Sequence, residues 1–191
     1  FNRTVRESLK DPLTNLYNRK YMHIALRNER KRAKRYGTQF SLLFIDVDFF
    51  KKINDEFGHL VGDQVLRETA QILLSNSRGE DHVFRYAGEE FVILMPQTSK
   101  EDAIHLAERV RKRMEQHVFE GLGRERRVTL SGGIASFPTD GQTAELLLHE
   151  ADQCLYEAKA SGRNRIVHYR GKSPLHKAVA AKSAPEQTFF P

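Results

Sequence analysis

Two pairs of carboxylates lie at the ends of short apolar segments. Asp46 and Asp48 stand at the end of one such segment, and Glu89 and Glu90 stand at the start of another. Carboxylates that are brought together repel one another unless they are protonated or neutralised, and hard divalent cations prefer such oxygen ligands. If the fold brings the two pairs together, the residue types predict a magnesium site.

The segment that follows the first pair contains groups suited to a nucleotide. The predicted turn over residues 49–54 offers backbone NH groups and the ammonium group of Lys51, which can cradle phosphates. Asn54 and Asp63 offer an amide and a carboxylate, and a carboxylate can accept hydrogen bonds from the N1 and N2 groups of guanine. These residues favour a purine nucleotide as the ligand.

A purely structural interpretation explains the same spacing equally well. In this interpretation Asp46 and Asp48 flank the end of a strand, and Asn54 caps a turn. Asp and Asn are common at such positions because their side chains hydrogen-bond to nearby backbone groups. The residue types and their spacing leave both interpretations open.

Apolar residues recur at regular intervals and predict the elements that position these groups. The predicted elements are, in order, a helix between Asn18 and Gly37, a buried strand over residues 40–47, a helix over 65–73, strands over 82–86 and 90–95, a helix that begins at the capping box of Ser99 and Asp102, a β-rich segment over 128–137, a helix from Thr143 to Ala160 that ends before Gly162, and a strand over 165–168. Only three residues separate the second and third strands, which predicts a hairpin.

The order of these elements predicts an α+β fold with a ferredoxin-like βαββαβ core, followed by an extra helix and strand. We expect a central, mostly antiparallel sheet flanked by helices. In this arrangement the first strand lies beside the second strand of the hairpin and runs antiparallel to it. The fold therefore places Asp46 and Asp48 beside Glu89 and Glu90.

The composition limits the class of protein. Hydrophobic residues make up 39% of the 191 residues and charged residues 29%, which is typical of one globular domain, and no apolar run approaches the roughly 20 residues of a membrane helix. The formal net charge of +6 predicts an anionic partner, whether nucleic acid, a membrane surface or a phosphorylated small molecule. Much of the excess lies between Arg30 and Arg35 without interleaved aromatic residues, so stacking of single-stranded nucleic acid is not indicated.

The two ends of the chain differ from its centre. Residues 1–10 are predicted to end a helical linker, residues 11–170 to form the domain, and residues 171–191, which have no apolar period, to be disordered. The chain begins at Phe1 without a secretory signal, and its single Cys154 indicates a reducing compartment. These features predict a cytoplasmic domain cut from a longer protein, and they leave open a membrane anchor elsewhere in that protein.

Four segments together resemble the signature motifs of the GGDEF family of diguanylate cyclases. They are Asp-Pro-Leu-Thr-Asn-Leu-Tyr-Asn-Arg (11–19), the segment 46–63, Arg-Tyr-Ala-Gly-Glu-Glu-Phe (85–91) and Lys-Ala-Ser-Gly-Arg-Asn (159–164). The likeness extends over residues 11–169 in the family's order, which makes the match specific. It favours the functional interpretation of the carboxylates over the structural one.

The resemblance implies an enzyme that condenses two GTP molecules into cyclic di-GMP, releases two pyrophosphates and has a nucleotidyl cyclase-like version of the predicted fold. Its metal ligands would be Asp46, Glu89 and the backbone carbonyl of Val47, for two Mg²⁺ or Mn²⁺ ions in each half-site. Its catalytic residues would be Glu89, Glu90 and Lys51, with either glutamate taking the proton of the attacking 3′-hydroxyl. Its substrate-binding residues would be Phe49, Phe50, Asn54, Asp63, Ala87, Gly88, Lys159 and Arg163.

The resemblance also implies partners. Each domain binds one GTP, so catalysis requires a homodimer, and an upstream sensory or receiver module controls its formation. Nucleic acid has no part in this activity. Cyclic di-GMP would inhibit the enzyme at a site formed by Arg78, Asp81 and Arg109, although an Arg and an Asp at this spacing are also common as an ordinary surface pair.

One position departs from the family pattern. Ala87 stands where the signature has its first glycine, and a glycine there permits a positive φ and close approach of the nucleotide. An alanine in the left-handed conformation costs about 1–2 kcal/mol, which corresponds to binding weakened about tenfold. The alternative to an active cyclase is a weak or inactive domain that senses GTP or cyclic di-GMP. Asp55, Gly58, His59 and Gly62 also match the family and are expected to form and pack turns.

Overall fold

The computed structural model of the chain describes residues 9–169. Its elements are β1 (Tyr17–Asn18), α1 (Arg19–Tyr36), β2 (Phe40–Val47), α2 (Phe50–Phe57), α3 (His59–Asn76), β3 (His82–Ala87), β4 (Glu90–Pro96), α4 (Lys100–Gln116), β5 (Leu130–Phe137), α5 (Ala144–Ala160) and β6 (Ile166–His168). The predicted tail and most of the predicted linker lie outside the described residues. At the end of that linker, Lys10 forms an antiparallel bridge with Tyr17 and is not helical.

The strands of the described residues form one mixed sheet in the order β1-β3-β4-β2-β5-β6. β2 lies between β4 and β5 and is antiparallel to both, and β3 and β4 form the predicted hairpin. The edge strands β1 and β6 run parallel to β3 and β5, respectively. The inner order β3-β4-β2-β5 is that of a ferredoxin-like core, so the predicted fold class is confirmed.

β2 is buried along its whole length, which explains its uninterrupted apolar sequence. Side chains of a strand alternate between the two faces of its sheet. Leu43 and Ile45 belong to the core formed with α3 and α4, whereas Leu42 and Phe44 belong to the core formed with α1 and α5. By the same alternation, Asp46 is on the face that α1 and α5 cover.

At Gly133, helix α5 packs on β5 without an intervening side chain. A Cβ on Gly133 would overlap the backbone of Ala151 and Leu155, so only glycine allows the helix to come this close. This packing fixes the end of α5, including Lys159, relative to the end of the sheet that carries Asp46.

The chain forms a helix, α2, where the sequence predicts a turn over residues 49–54. Phe50, Ile53 and Phe57 recur at helical spacing, and their side chains pack into or against the core that contains α3 and α4. This short apolar face favours a helix, and the turn is reduced to the two residues before Phe50.

Helix α3 begins earlier than predicted. Gly58, with a φ of 85°, separates α2 from α3 and forms the one expected turn. Asp55 lies in α2 and the buried Gly62 lies in α3, so the expectation that these two residues form turns is wrong. His59, which was expected to pack the turn, is the exposed first residue of α3.

The predicted helix ends are confirmed. Asn18, Ser99 and Thr143 each accept a hydrogen bond from the backbone NH three residues further on, and Gly37 ends α1 with a φ of 65°. Cys154 is buried, and burial raises the pKa of its thiol to about 12. Within residues 9–169, no helix has the length and apolar character needed to cross a membrane.

Candidate active site

Three carboxylates meet where β2 ends and the β3–β4 hairpin turns, and we call Asp46, Glu89 and Glu90 the acidic corner. Asp46 lies opposite Glu90 in the antiparallel ladder. The backbone NH of Val47 donates to the backbone oxygen of Glu89 at 3.2 Å. The predicted approach of the two acidic segments is confirmed for these three residues.

Asp46 is the most buried residue of the acidic corner, at 7% exposure. Its Oδ2 lies 2.7 Å from Nζ of Lys159. Burial raises the pKa of the Asp46 carboxyl; the Lys159 ammonium opposes this rise, and the carboxylates of Glu89 and Asp48 add to it. The acidic corner is therefore a place where a cation is favoured.

Glu90 is half-buried on the same face of the sheet. Burial raises the pKa of its carboxyl, Asp46, Asp152 and Glu89 act in the same direction, and Lys159 opposes them. The raised pKa makes the Glu90 carboxylate a stronger base than an ordinary exposed glutamate. This side chain is suited to accepting a proton.

The donor set of the acidic corner fits a divalent cation that arrives with a nucleotide. Within the described residues, no three His, Cys, Asp or Glu side chains are grouped so that they could hold a metal ion alone. Mg²⁺ in phosphate-transferring enzymes usually takes only one or two protein carboxylates, and substrate phosphates and water supply the rest. Asp46 and Glu89 offer two carboxylates beside the backbone of Val47, so these residues fit Mg²⁺ or Mn²⁺.

The chain passes from β2 into α2 through a short turn that ends at Phe49. We call Phe49 and the first two residues of α2, Phe50 and Lys51, the phosphate turn. Phe49 has a φ of 57°, and this left-handed residue reverses the chain so that α2 can start at Phe50. The first NH groups of a helix have no partner within the helix. The phosphate turn therefore offers backbone donors at the end of β2 that carries Asp46, and Lys51 is exposed.

Arg163 contacts the phosphate turn from the other end of the chain. The Arg163 guanidinium lies 4.6 Å from the centre of the Phe49 ring, a cation–π contact. Arg163 and Asn164 have φ values of 62° and 46°, so the chain bends sharply after α5. This bend follows directly after α5 and precedes the strand β6, and it carries the Arg163 guanidinium to the ring of Phe49.

Asp48 does not belong to the acidic corner. Its Oδ1 accepts a hydrogen bond from Ser131 Oγ at 2.7 Å, and its Oδ2 accepts from Thr129 Oγ1 at 2.7 Å and from the backbone NH of Asn164 at 3.0 Å. The prediction that Asp48 joins the other carboxylates at the metal site is wrong, because these donors satisfy both of its oxygens. Asp48 instead ties β5 and the bend after α5 to the phosphate turn.

The predicted guanine-binding pair is divided between two helices, with Asn54 on α2 and Asp63 on α3. A Cβ on Gly62 would overlap Asn54 Oδ1, so the amide lies directly against the backbone of α3. Asn54 Oδ1 is buried and has no hydrogen-bond partner, while Asp63 is half-buried. The orphaned amide oxygen fits a ligand that carries hydrogen-bond donors, and Asp63 follows the glycine that this amide contacts.

The hairpin turn differs from the expectation for Ala87. Within residues 9–169 the non-glycine residues with positive φ do not include Ala87, and Gly88 takes the positive φ of 23°. A register shift between Arg85 and Ala87 moves the turn by one position. The expected strain at Ala87 is therefore wrong, because this residue ends β3 with its side chain exposed.

An ion pair that the sequence did not single out holds the hairpin. Arg85 Nη1 lies 3.1 Å from both carboxylate oxygens of Asp11, and its Nε donates to the backbone oxygen of Gly88 at 3.0 Å. Burial acts to raise the pKa of the Asp11 carboxyl, but hydrogen bonds from Thr14 and Arg85 hold it below its ordinary value. Both residues stand within the motifs quoted above, and that position was the only signal for their role.

The predicted product site lies at the end of α3. The Arg78 backbone NH donates to Asp81 Oδ2 at 2.7 Å, and Arg109 Nη2 donates to the backbone oxygen of Asn76 at 2.8 Å. Asp81 Oδ1 is buried without a hydrogen-bond partner, and burial raises the pKa of this carboxyl. Within residues 9–169, the structure records no hydrogen bond or ion pair of the Arg78 guanidinium. This guanidinium and Asp81 Oδ1 are therefore both available to a ligand.

The chain is similar in sequence to known proteins of one family. Residues 8–165 match the family model described as "Diguanylate cyclase, GGDEF domain". The response regulator PleD of Caulobacter vibrioides is 49% identical over 162 residues, which cover 84% of this chain and 36% of PleD. Diguanylate cyclase DosC of Escherichia coli is 41% identical over 157 residues, which cover 82% of this chain and 34% of DosC.

A solved structure has the same fold. The coiled coil and GGDEF domain of DgcB from Caulobacter crescentus, in complex with cyclic di-GMP, matches with a TM-score of 0.82 and 28% identity, over 87% of this chain and 88% of that one. The chain thus spans about a third of the length of the curated relatives. The matched family segment contains the acidic corner, the phosphate turn and the hairpin, and the chain belongs to the GGDEF domain family of diguanylate cyclases.

Proposed function

We propose that this chain is the catalytic domain of a diguanylate cyclase, which condenses two GTP molecules into cyclic di-GMP and releases two pyrophosphates. The observation that carries the proposal is the acidic corner beside the phosphate turn, with Asp46 opposite Glu90 in the sheet. A domain that only binds a nucleotide has no need for carboxylates so close to its phosphates, because like charges repel.

Each part of GTP has a counterpart in the site. Asn54 and Asp63 recognise guanine, because the carboxylate accepts from the N1 and N2 donors that adenine lacks. The NH groups of Phe49 and Phe50 bind the phosphates. Lys51, Lys159 and Arg163 neutralise their charge, while Ala87 and Gly88 lie beside the nucleotide.

Asp46, Glu89 and the backbone carbonyl of Val47 hold two Mg²⁺ or Mn²⁺ ions in each half-site. When bound, the ions neutralise the charge that develops on the phosphates during the transfer. The residues of the acidic corner orient the reacting α-phosphate with respect to the attacking hydroxyl group.

Glu90, in preference to Glu89, accepts the proton of the attacking 3′-hydroxyl. Its carboxyl has a raised pKa because of its burial and its neighbour Asp46, so its carboxylate is a stronger base than that of an ordinary exposed glutamate. Glu89 serves as a metal ligand at the tip of the hairpin.

Catalysis takes place in a homodimer. Each domain binds one GTP, and the 3′-hydroxyl of each nucleotide has to face the α-phosphate of the other. Holding the two substrates in line converts an encounter between two molecules into a step within one complex, which supplies much of the acceleration. We infer that a sensory or receiver module in the full protein, located with it in the cytoplasm, controls how the two domains meet.

Cyclic di-GMP inhibits the enzyme at Arg78, Asp81 and Arg109. The orphaned Asp81 Oδ1 supports this site, and so does the Arg78 guanidinium, which acts on the Asp81 carboxylate through its charge. Carboxylates accept from guanine donors, and guanidinium groups bind phosphates. The related DgcB domain was solved in complex with cyclic di-GMP.

The test is incubation of concentrated protein with GTP and Mg²⁺, followed by chromatography of the nucleotides. We expect cyclic di-GMP and pyrophosphate from the parent and none from Asp46→Asn, which keeps the shape of the side chain and removes its charge. GTP binding without product would favour the sensor. Salt-dependent DNA binding without product would favour a nucleic-acid protein and overturn the proposal.

A further inference from the structure

The ion pair of Lys159 with Asp46 occupies one of the proposed metal ligands. Lys159 Nζ lies 2.7 Å from Asp46 Oδ2, and the two side chains are 31% and 10% exposed. Mg²⁺ binds oxygen at about 2.0–2.1 Å. An ammonium group and a metal ion therefore compete for the same carboxylate.

Within residues 9–169, Lys159 is the cation that the structure pairs with the acidic corner. Glu89 and Glu90 lie close enough to Asp46 to interact with it electrostatically. Loss of the ammonium group would leave the Asp46 carboxylate buried beside like charges, so this site favours a bound cation.

We propose that Lys159 is an exchangeable counter-ion, which holds Asp46 until a metal–nucleotide complex binds and then transfers to the triphosphate. The inference rests on the proposed function. A metal ion alone has to displace the Lys159 ammonium group and leave it without a partner. A metal ion that arrives with GTP also brings phosphate oxygens, to which the ammonium group can move.

The position of Lys159 suits this exchange. It lies on the last turn of α5, one residue before the helix ends, and α5 itself is fixed to β5 at Gly133. The flexible four-carbon stem of lysine lets its Nζ change partner while the backbone stays in place. Arg163, four residues further on, stacks on Phe49 of the phosphate turn, so the phosphates bind near the same segment.

Exchange couples metal binding to nucleotide binding. In the parent, a metal ion that binds alone has to displace Lys159 from Asp46, which lowers the affinity for the metal ion. Bound nucleotide raises this affinity again, because its phosphates accept the ammonium group. By linkage, the metal ion strengthens nucleotide binding by the same factor. Replacing Lys159 with a neutral residue should strengthen metal binding in the absence of nucleotide, although it weakens GTP binding.

The first experiment measures Mn²⁺ binding without nucleotide by electron paramagnetic resonance. We expect Lys159→Met and Lys159→Gln to bind Mn²⁺ about tenfold more tightly than the parent, within the usual range of such coupling. Lys52→Met is the matched control, because Lys52 lies 4.8 Å from the Phe49 ring and is not paired with Asp46. This control should stay within about twofold of the parent. Equal or weaker Mn²⁺ binding by both Lys159 variants would overturn the proposal.

The second experiment uses the folded parent and does not depend on neutral variants. The lysine side chains are labelled with ¹³C for nuclear magnetic resonance. The signal that is missing from the spectrum of Lys159→Arg, which keeps the positive charge, is that of Lys159. We expect saturating Mg²⁺ alone to shift this signal, and addition of a non-hydrolysable GTP analogue to shift it again. A signal that stays unchanged in both steps would show that Lys159 keeps Asp46 as its partner.

The two proposals fail in different measurements. If GTP yields no cyclic di-GMP while Lys159→Met tightens Mn²⁺ binding, the cyclase assignment is wrong and the exchange stands. If the parent makes cyclic di-GMP and Lys159→Met leaves Mn²⁺ affinity unchanged, only the exchange is wrong. Asp46→Asn, which should lose Mn²⁺ binding at this site, confirms which site is measured.

Discussion

Asn54 and Gly62 are in direct contact across the junction of α2 and α3, because a Cβ at Gly62 would overlap Asn54 Oδ1. The glycine is therefore required neither for a turn nor for a positive φ, but for the room that it gives to one amide group. In a site that recognises guanine through this amide, a residue with no side chain sets the position of a residue that binds the base.

Gly62→Ala should raise the KM for GTP about tenfold, because the new methyl group displaces Asn54 and overpacking of this kind costs about 1–3 kcal/mol. Steady-state kinetics with GTP and a thermal unfolding curve measure the effect. Gly79→Ala is the matched control, since a Cβ there meets no atom within 4 Å. A KM equal to that of the parent would show that Asn54 does not bind the base.

The hairpin should tolerate glycine at position 87 better than it tolerates alanine at position 88. Ala87 has no positive φ, so Ala87→Gly should change the KM for GTP less than about twofold. Strain at Ala87 would instead predict that this variant has a lower KM. Gly88 has a φ of 23°, and Gly88→Ala should weaken GTP binding about fivefold at a cost of about 1 kcal/mol. A tenfold gain from Ala87→Gly would restore the strain hypothesis.

Arg78→Ala should weaken product inhibition at least about tenfold and leave the initial rate unchanged, because charge-assisted hydrogen bonds to the ligand are lost. Inhibition curves with added cyclic di-GMP, at equal protein concentrations, measure this effect. Arg67→Ala removes a different exposed arginine, on α3, and should behave like the parent. Identical curves for Arg78→Ala and the parent would remove Arg78 from the inhibitory site.

The ion pair of Asp11 with Arg85 should make stability depend on pH. The pKa of Asp11 in the folded protein is below its ordinary value of 3.8, so the folded state favours the charged form. The contribution to stability is present above pH 3.8 and is lost as the pH falls through the folded-state pKa. Urea unfolding of the parent and Asp11→Asn should differ at pH 6 and converge in acid, roughly within the range where carboxylates titrate. A constant difference across this range would contradict the assignment.

The parts of the fold that depend on local signals were predictable. The apolar sequence of β2 and the caps at Asn18 and Thr143 each act within a few residues, and the structure confirms them. The antiparallel pairing that brings Asp46 to Glu90 followed from the order of the elements. Helix α2 was missed because its apolar face consists of only three residues over two turns.

The parts that depend on distant partners were not predictable. Asp48 looked like a metal ligand because it follows Asp46, but its donors Thr129 and Asn164 are 81 and 116 residues away in the chain. Nothing in the spacing of Asp48 indicates those partners. For Ala87, a single register shift in the hairpin decided the backbone conformation, and no composition signal marks such a shift.

The contact of Gly133 with the backbone of α5 limits how this domain can be regulated. At Gly133 the backbone of α5 lies directly against the sheet, so α5 cannot slide on β5 at this point without a steric clash, and packed interiors deform little. A regulatory module could then not act by moving α5 on the sheet at this contact. It would have to work as a clamp or a spacer that changes the distance between two stiff bodies, while each half-site keeps its shape.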